Sequence, residues 1–307
     1  MNNMEARSDF DVVIVGGSNS GLSAGMALGR SLRTVLIVDS GKPCNWQTSH
    51  SHNFIMHDGW KPADMRKAAM KDVLAYPTVE YVDGTVTAVT GSDNNFEVTI
   101  KDSARRVTAG KIVFATGIKD IFVDIDGLAE CWGISVIHCP YCHGYEYHGK
   151  ITGILANGDA GFEMMRLINN WTKLLTVFTN GPATFTPEQL EILSKHSIHI
   201  VENEISRLRH KDGYLQHVVF KDDTPDIKLD ALYARLPFVQ HTDAPAKLGC
   251  AFTEQGLLQI DGFQKTTVPG VFACGDNSTF MRSVAVAVAS GNMAGIVAGK
   301  EFFEKEF

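Results

Sequence analysis

The chain has 307 residues, 44% hydrophobic and 21% charged, with a formal net charge of −7. That is the balance of a globular protein long enough for two domains. Its 35 acidic side chains outnumber 28 Lys and Arg, and no run of Lys and Arg exceeds two residues, so there is no basic stripe to neutralise the phosphates of a nucleic acid or an anionic membrane. The polar start, Met1 to Phe10, and the lack of a long apolar run lead us to expect a cytoplasmic protein with no membrane segment.

The chain opens as a βαβ unit. Asp11 to Val15 is a short, continuous apolar run, as expected of a strand buried on both faces. Gly16-Gly17-Ser18-Asn19-Ser20-Gly21 supplies a turn, Leu22 to Arg30 a helix, and Thr34 to Val38 a second strand that ends at Asp39. In this order backbone amides and a helix N-terminus can meet a pyrophosphate, and the terminal carboxylate can take an adenosine ribose. Ser18 stands where the middle glycine of such a fingerprint would be, and a plain glycine-rich βα turn is the alternative reading. A histidine-rich stretch, Ser49-His50-Ser51-His52 with His57 beyond it, falls between the second strand and a helix expected from Pro62 to about Leu74. Solvated loop histidines are one reading of it.

Gly84 to Ile100 reads as a hairpin about Asp93-Asn94-Asn95. Lys111 to Phe114 is another buried strand, running into the turn Ala115-Thr116-Gly117. Then comes His138-Cys139-Pro140-Tyr141-Cys142-His143. In a CxxC one thiolate is stabilised by its partner and by nearby cations, so that it can attack a disulfide. The flanking imidazoles could supply that charge or carry the proton. The segment also matches a c-type haem attachment, which would require export, and a zinc site, which would require a second ligand pair. A thioredoxin-type CxxC would follow the first strand of a small domain rather than sit mid-chain. Cys44, Cys131, Cys250 and Cys274 are isolated and receive no role, Cys274 reading as a buried strand cysteine.

A second βαβ pattern follows: a strand at 151–156, a helix from about Gly161 to Trp171, a strand at 174–179, a helix at 187–195 and a strand at 198–201. Its turn, Ala156-Asn157-Gly158-Asp159-Ala160-Gly161, lacks the first glycine, and its second strand ends Phe178-Thr179-Asn180-Gly181 without an arginine. A nicotinamide dinucleotide bearing a 2′-phosphate thus lacks its recognition charge. Near the end of the chain, Gly270 to Asp276 is a strand ending in Gly275-Asp276, followed by a long helix from about Ser283 to Gly299. Alone this is a strand-to-turn junction. With the first fingerprint and the Thr116-Gly117 turn it favours FAD, Asp276 holding a ribityl hydroxyl.

The expected fold class is α/β, two Rossmann-like nucleotide-binding domains with the second inserted in the first. The boundaries are 1–119 and 245–307 for the FAD-binding domain and 120–244 for the inserted NAD(P)-like domain that carries the CxxC.

The succession of GGxxxG, ATG, CxxC, a second Rossmann-like unit and GVFACGD resembles the low-molecular-weight thioredoxin reductases over nearly the whole chain. The segment Cys139 to Glu146 resembles the branch that includes the dithiol oxidases of the gliotoxin and holomycin type. The resemblance implies FAD, a homodimer, and a dithiol–disulfide oxidoreductase acting on a small dithiol or on a thioredoxin-like protein. By position it makes Cys142 the flavin-facing sulfur and Cys139 the interchange thiol. His143 replaces the usual aspartic acid, moving that titration toward neutrality. Gly16, Ser18, Gly21, Asp39, Thr116, Gly117, Gly275 and Asp276 would hold the flavin nucleotide, with His52 near its ring. No metal is expected, and NADPH is disfavoured. An NADPH-driven thioredoxin reductase and a non-catalytic flavin-binding redox sensor are the two alternatives.

Overall fold

The computed structural model describes residues 7–101 and 105–306. They fall into two compact units, one of Met1–Trp46, Trp60–Lys119 and Phe238–Phe307, the other of Gln47–Gly59 and Asp120–Pro237.

The first unit is built on β1 (Asp9–Val15), whose Val12, Val13 and Ile14 are fully buried. Side chains alternate across a strand, so Val13 and Val15 join one core and Val12 and Ile14 another on the opposite face. The chain continues through α1 (Asn19–Arg30), β2 (Val35–Asp39), α2 (Pro62–Val73), β3 (Val79–Asp83), β4 (Val86–Ser92), β5 (Asn95–Ile100) and β6 (Arg105–Phe114). The sheet order is β3-β2-β1-β6-β5-β4. β1 runs parallel to both β2 and β6, while β4 and β5 form the antiparallel hairpin, turning at Asn94 with φ +66°. The chain leaves along β7 (Ile118–Asp120).

The second unit contains α3 (Leu128–Cys131), β8 (Val136–Ile137), α4 (Pro140–His143), β9 (Thr152–Leu155), α5 (Gly158–Ile168), β10 (Leu175–Phe178), α6 (Pro187–Lys195) and β11 (His199–Val201). These are followed by β12 (Ile205–Lys211), β13 (Tyr214–Phe220), β14 (Ile227–Lys228) and β15 (Ala231–Ala234). The order β11-β10-β9-β15-β8 is a parallel sheet. β12, β13 and β14 form a separate antiparallel sheet that the sequence reading did not anticipate. Its register shifts between Ile205 and Arg207 and again between Arg209 and His210. Each bulge breaks the period-two alternation by which a strand is recognised.

The chain re-enters the first unit along β16 (Phe238–Gln240), which pairs with β7, and finishes with α7 (Ala244–Lys247), β17 (Val271–Ala273) and α8 (Val284–Glu306). The return to the first unit comes at Phe238, before residue 245. Residues 47–59, placed by sequence order with β2 and α2, belong to the second unit, where Gln47 Nε2 donates to the Ala129 carbonyl at 3.2 Å.

Helix α8 lies against α1 along a seam of glycines. A Cβ on Gly291 would stand 2.0 Å from the Ser20 carbonyl oxygen, and one on Gly295 2.5 Å from that of Ala24. The helix is also held by the wholly buried ammonium of Lys111, which pairs with Asp93 and with Glu301 at 2.8 Å. Removing either carboxylate would leave a buried charge short of a partner. Because backbone cannot yield as a side-chain tip does, Gly295→Ala is expected to destabilise the protein by roughly 1–3 kcal/mol. Gly262, which has open space around it, serves as the control. Urea unfolding checks this, with Gly262→Ala expected to match the parent and Gly295→Ala to unfold earlier.

Candidate functional site

Strand β8 feeds directly into Cys139, and Pro140 starts the single turn of α4 at the position where its missing N–H costs nothing. The turn brings the two cysteines together as a disulfide with Cα atoms 5.3 Å apart. Both sulfur residues are half-buried and Tyr141 between them is exposed. The Cys142 amide donates to Cys139 Sγ at 3.2 Å. The turn is fixed from outside. Gly144 has no room for a Cβ, which would stand 2.4 Å from the Pro140 carbonyl oxygen and 2.8 Å from Trp171 Nε1. His138 stacks on Trp132 with ring centroids 5.7 Å apart, and Trp171 meets Tyr141 edge-on.

The 47–59 segment brings a second histidine to this unit. His52 Nε2 lies 3.5 Å from Glu146 Oε1, and its Nδ1 lies 3.5 Å from Asp58 Oδ2. Asp58 is in turn held by the Asn53 amide at 2.7 Å. The structure therefore groups His52 with the cysteine unit rather than with β2 and α2. Glu146, absent from the expected site residues, is its neighbour. The signal was available in the sequence only as a carboxylate four residues beyond Cys142. His143 corrects another expectation. Burial pushes its imidazole down to about 4, with Glu146 opposing and His52 reinforcing that shift. Its titration thus moves away from neutrality, and the side chain is neutral at physiological pH.

In the first unit, β1 ends at a turn that opens on two glycines, Gly16 and Gly17. Gly16 has φ +108°, and a Cβ there would stand 2.3 Å from the Ala115 carbonyl oxygen. One on Gly21 would stand 1.8 Å from the Gly16 carbonyl oxygen. Ser18 is the N-cap of α1 but makes no side-chain cap, and no acidic residue enters the first turn. The amides there remain available to an anion, which the helix dipole also favours. Asp39 ends β2 beside this turn, its Cβ 2.8 Å from where a Gly17 Cβ would be. At the end of β17, Gly275 has φ +79° and Asp276 takes Arg282 Nε at 3.4 Å and Cys44 Sγ at 3.8 Å.

The residue after Asp276 was missed. Asn277 is wholly buried and donates to the Phe114 carbonyl at 2.8 Å and to Thr116 Oγ1 at 3.2 Å, while its Oδ1 has no partner. It ties β17 to the Thr116-Gly117 turn. A bare glycine turn, a carboxylate at the end of β2 and an orphaned buried amide oxygen suit an adenine dinucleotide with further hydroxyl donors, as FAD is.

The equivalent turn of the second unit differs in kind. Asn157 caps α5 with its own side chain: Oδ1 accepts from the Gly158 amide at 2.8 Å, the Thr184 amide at 2.9 Å and Thr184 Oγ1 at 3.1 Å. Asp159 places a carboxylate in the first turn, held by Gln189 at 2.7 Å.

Of the remaining cysteines, Cys131, Cys250 and Cys274 are buried, and burial raises their thiols, to about 11 for Cys131 and about 12 for Cys274. Such thiols are poor nucleophiles. Among the described residues no group of three or more His, Cys, Asp or Glu is placed to hold a metal, and no helix is long and apolar enough to cross a membrane.

Residues 10–291 match the model of the pyridine nucleotide-disulphide oxidoreductases. The chain is 31% identical to "Thioredoxin reductase aclD" of Aspergillus oryzae, over 96% of this chain and 98% of that one. An oxidoreductase of Agrobacterium tumefaciens superposes with a TM-score of 0.90 at 36% identity, covering 96% of this chain and 99% of that one. A putative thioredoxin reductase TrxB of Bacillus anthracis superposes with a TM-score of 0.91 at 28% identity, covering 97% and 100%.

The low His143 value has a consequence for stability. Unfolding returns the imidazole from about 4 to its ordinary 6.5, so between those values the unfolded chain binds the extra proton. Stability from this source is complete above about pH 6.5 and falls as pH drops toward about 4. His143→Asn should flatten that fall, measured as denaturation midpoints across this range. An unchanged slope would mean that His143 carries no depressed titration.

Proposed function

The chain belongs to the pyridine nucleotide-disulphide oxidoreductase family, and on that premise we propose that it oxidises small dithiols to disulfides, with FAD in the first unit and Cys139/Cys142 in the second. It is a thioredoxin reductase-like, flavin-dependent oxidoreductase acting on sulfur groups. The proposal concerns the direction of electron flow and the residues that carry it.

One observation supports that direction above the rest. A nicotinamide dinucleotide entering the second unit would need the α5 N-terminus for its pyrophosphate, and there Asn157 already takes the first amide, that of Gly158, while Asp159 adds a repelling charge. Electrons then enter from the sulfur side, and oxygen is the acceptor we assign. The relatives that carry the name thioredoxin reductase favour the other reading, in which NADPH drives reduction of a thioredoxin-like disulfide.

The chain's own groups account for the sulfur chemistry. A substrate thiol loses its proton to neutral His143 and attacks the Cys139 sulfur, breaking the Cys139–Cys142 bond and releasing the Cys142 thiolate. The second substrate thiolate then attacks the substrate sulfur of the mixed disulfide and expels Cys139, whose thiolate the Cys142 amide stabilises. Two electrons pass from the dithiol to the pair, one substrate proton rests on His143 and the other is released to solvent, and the product is a disulfide. Glu146, 3.5 Å from His52, favours the protonated form of His143 as the proton arrives. Gly16, Ser18, Gly21, Asp39, Thr116, Gly117, Gly275 and Asp276 would hold FAD, which when bound supplies the two-electron capacity that restores the disulfide.

A homodimer follows from the same resemblance. A cytoplasmic location is supported by four cysteines outside the pair that form no disulfide.

Anaerobic stopped-flow mixing separates the two directions. A small dithiol should bleach the flavin fully and NADPH should not; rapid, complete bleaching by NADPH would contradict the oxidase. Cys142→Ser should lower dithiol oxidation by more than about a hundredfold, measured as oxygen uptake, and an undiminished rate would remove the pair from the mechanism.

A further inference from the structure

Asp39 does not stand alone at the end of β2. Arg66, from α2, reaches it with Nη2 at 2.6 Å from Oδ2, and Tyr81, from β3, donates its hydroxyl to the same Oδ2 at 2.8 Å. Arg66 Nη2 also donates to the Tyr81 oxygen at 2.5 Å, closing a three-membered ring of contacts. Burial, then the bond to Asp39, raises the Tyr81 hydroxyl well above its ordinary range, so it remains an O–H donor at working pH. Both donors converge on one carboxylate oxygen, and Oδ1 takes no bond from any described residue. The cluster is pressed onto the glycine turn. A Cβ at Gly17 would stand 2.8 Å both from Asp39 Cβ and from Tyr81 Cε2.

We infer that Arg66 and Tyr81 are positioning residues that fix the Asp39 carboxylate by Oδ2 and leave Oδ1 as the acceptor for the adenosine ribose hydroxyls of the dinucleotide. This rests on the reading that the Gly16–Gly21 turn holds FAD. A lone aspartate at a strand end can rotate about χ2 and present either oxygen, losing part of each hydrogen bond to the ordering it must undergo. Two donors on one oxygen remove that freedom before the ligand arrives. The charge of Arg66 also offsets the carboxylate beside a site that must accept a diphosphate. The ring joins three elements, α2, β2 and β3, that approach one another only in the folded unit, so no local motif announces it.

The test uses apoprotein reloaded with FAD, and competition by ADP and by 2′,3′-dideoxy-ADP, which keeps the diphosphate but lacks both ribose hydroxyls. The parent should bind FAD and prefer ADP over the dideoxy compound by about tenfold. Asp39→Asn should reduce that preference, and Arg66→Met and Tyr81→Phe should each lower it at least threefold, with the affinity for dideoxy-ADP little changed. A purely structural role would weaken both competitors together and preserve the ratio, which would overturn the inference. So would a parent with no preference. If Arg66→Met fails to fold, Tyr81→Phe decides alone, since it removes one hydroxyl. Apoprotein that takes up no FAD would instead refute the reading on which this inference rests.

Discussion

At the end of β1 two stretches of backbone touch where no side chain could fit. The Gly21 Cα packs so closely on the Gly16 carbonyl that a single added carbon would stand 1.8 Å from that oxygen. This contact sets where α1 begins, and much of the first unit follows from it. The helix N-terminus stays over the end of the sheet with its amides uncapped. The helix is drawn close enough for Gly291 and Gly295 of α8 to lie against the backbone at Ser20 and Ala24. Asp39 ends the neighbouring strand against Gly17. Glycine here is a steric requirement at the contact, and its positive φ at Gly16 is a second one.

The two glycine turns differ at two positions that bear on how each helix N-terminus is filled. Gly17 in the first unit corresponds to Asn157 in the second. Where the residue has no side chain, the amides face outward unfilled. Where it is asparagine, the side chain folds back and takes the Gly158 and Thr184 amides. The next position but one strengthens the contrast, Asn19 against Asp159, whose carboxylate enters the first turn of α5. The Cys139/Cys142 pair differs from the other cysteines by environment. Cys131, Cys250 and Cys274 are buried with raised thiols, whereas Cys139 and Cys142 are half-buried and the Cys142 amide donates to Cys139 Sγ.

Features written in contiguous residues were legible from the sequence. The β1 turn, the CxxC and the Gly275-Asp276 junction are each a few adjacent residues with steric or chemical demands of their own, and α6, expected at 187–195, occupies those residues with a capping box at Thr186 and Gln189. Features made by tertiary approach were not. His52 meets Glu146 across 94 positions of sequence (146 − 52), and nothing local to either residue announces the other. Arg66 was one basic residue among several on a helix until β2 and β3 placed Asp39 and Tyr81 beside it. The His143 titration was misjudged because residue type sets only the starting value, and burial moved it.

On the proposed function, one chain stores two electrons on a flavin and two more on Cys139/Cys142, and exchanges them. Anaerobic titration of the oxidised, FAD-loaded protein with dithionite, followed through the flavin absorbance, counts them directly. Uptake of about four electrons per chain is expected, falling to about two when both cysteines are replaced by serine. An end point near two in the parent protein would contradict it.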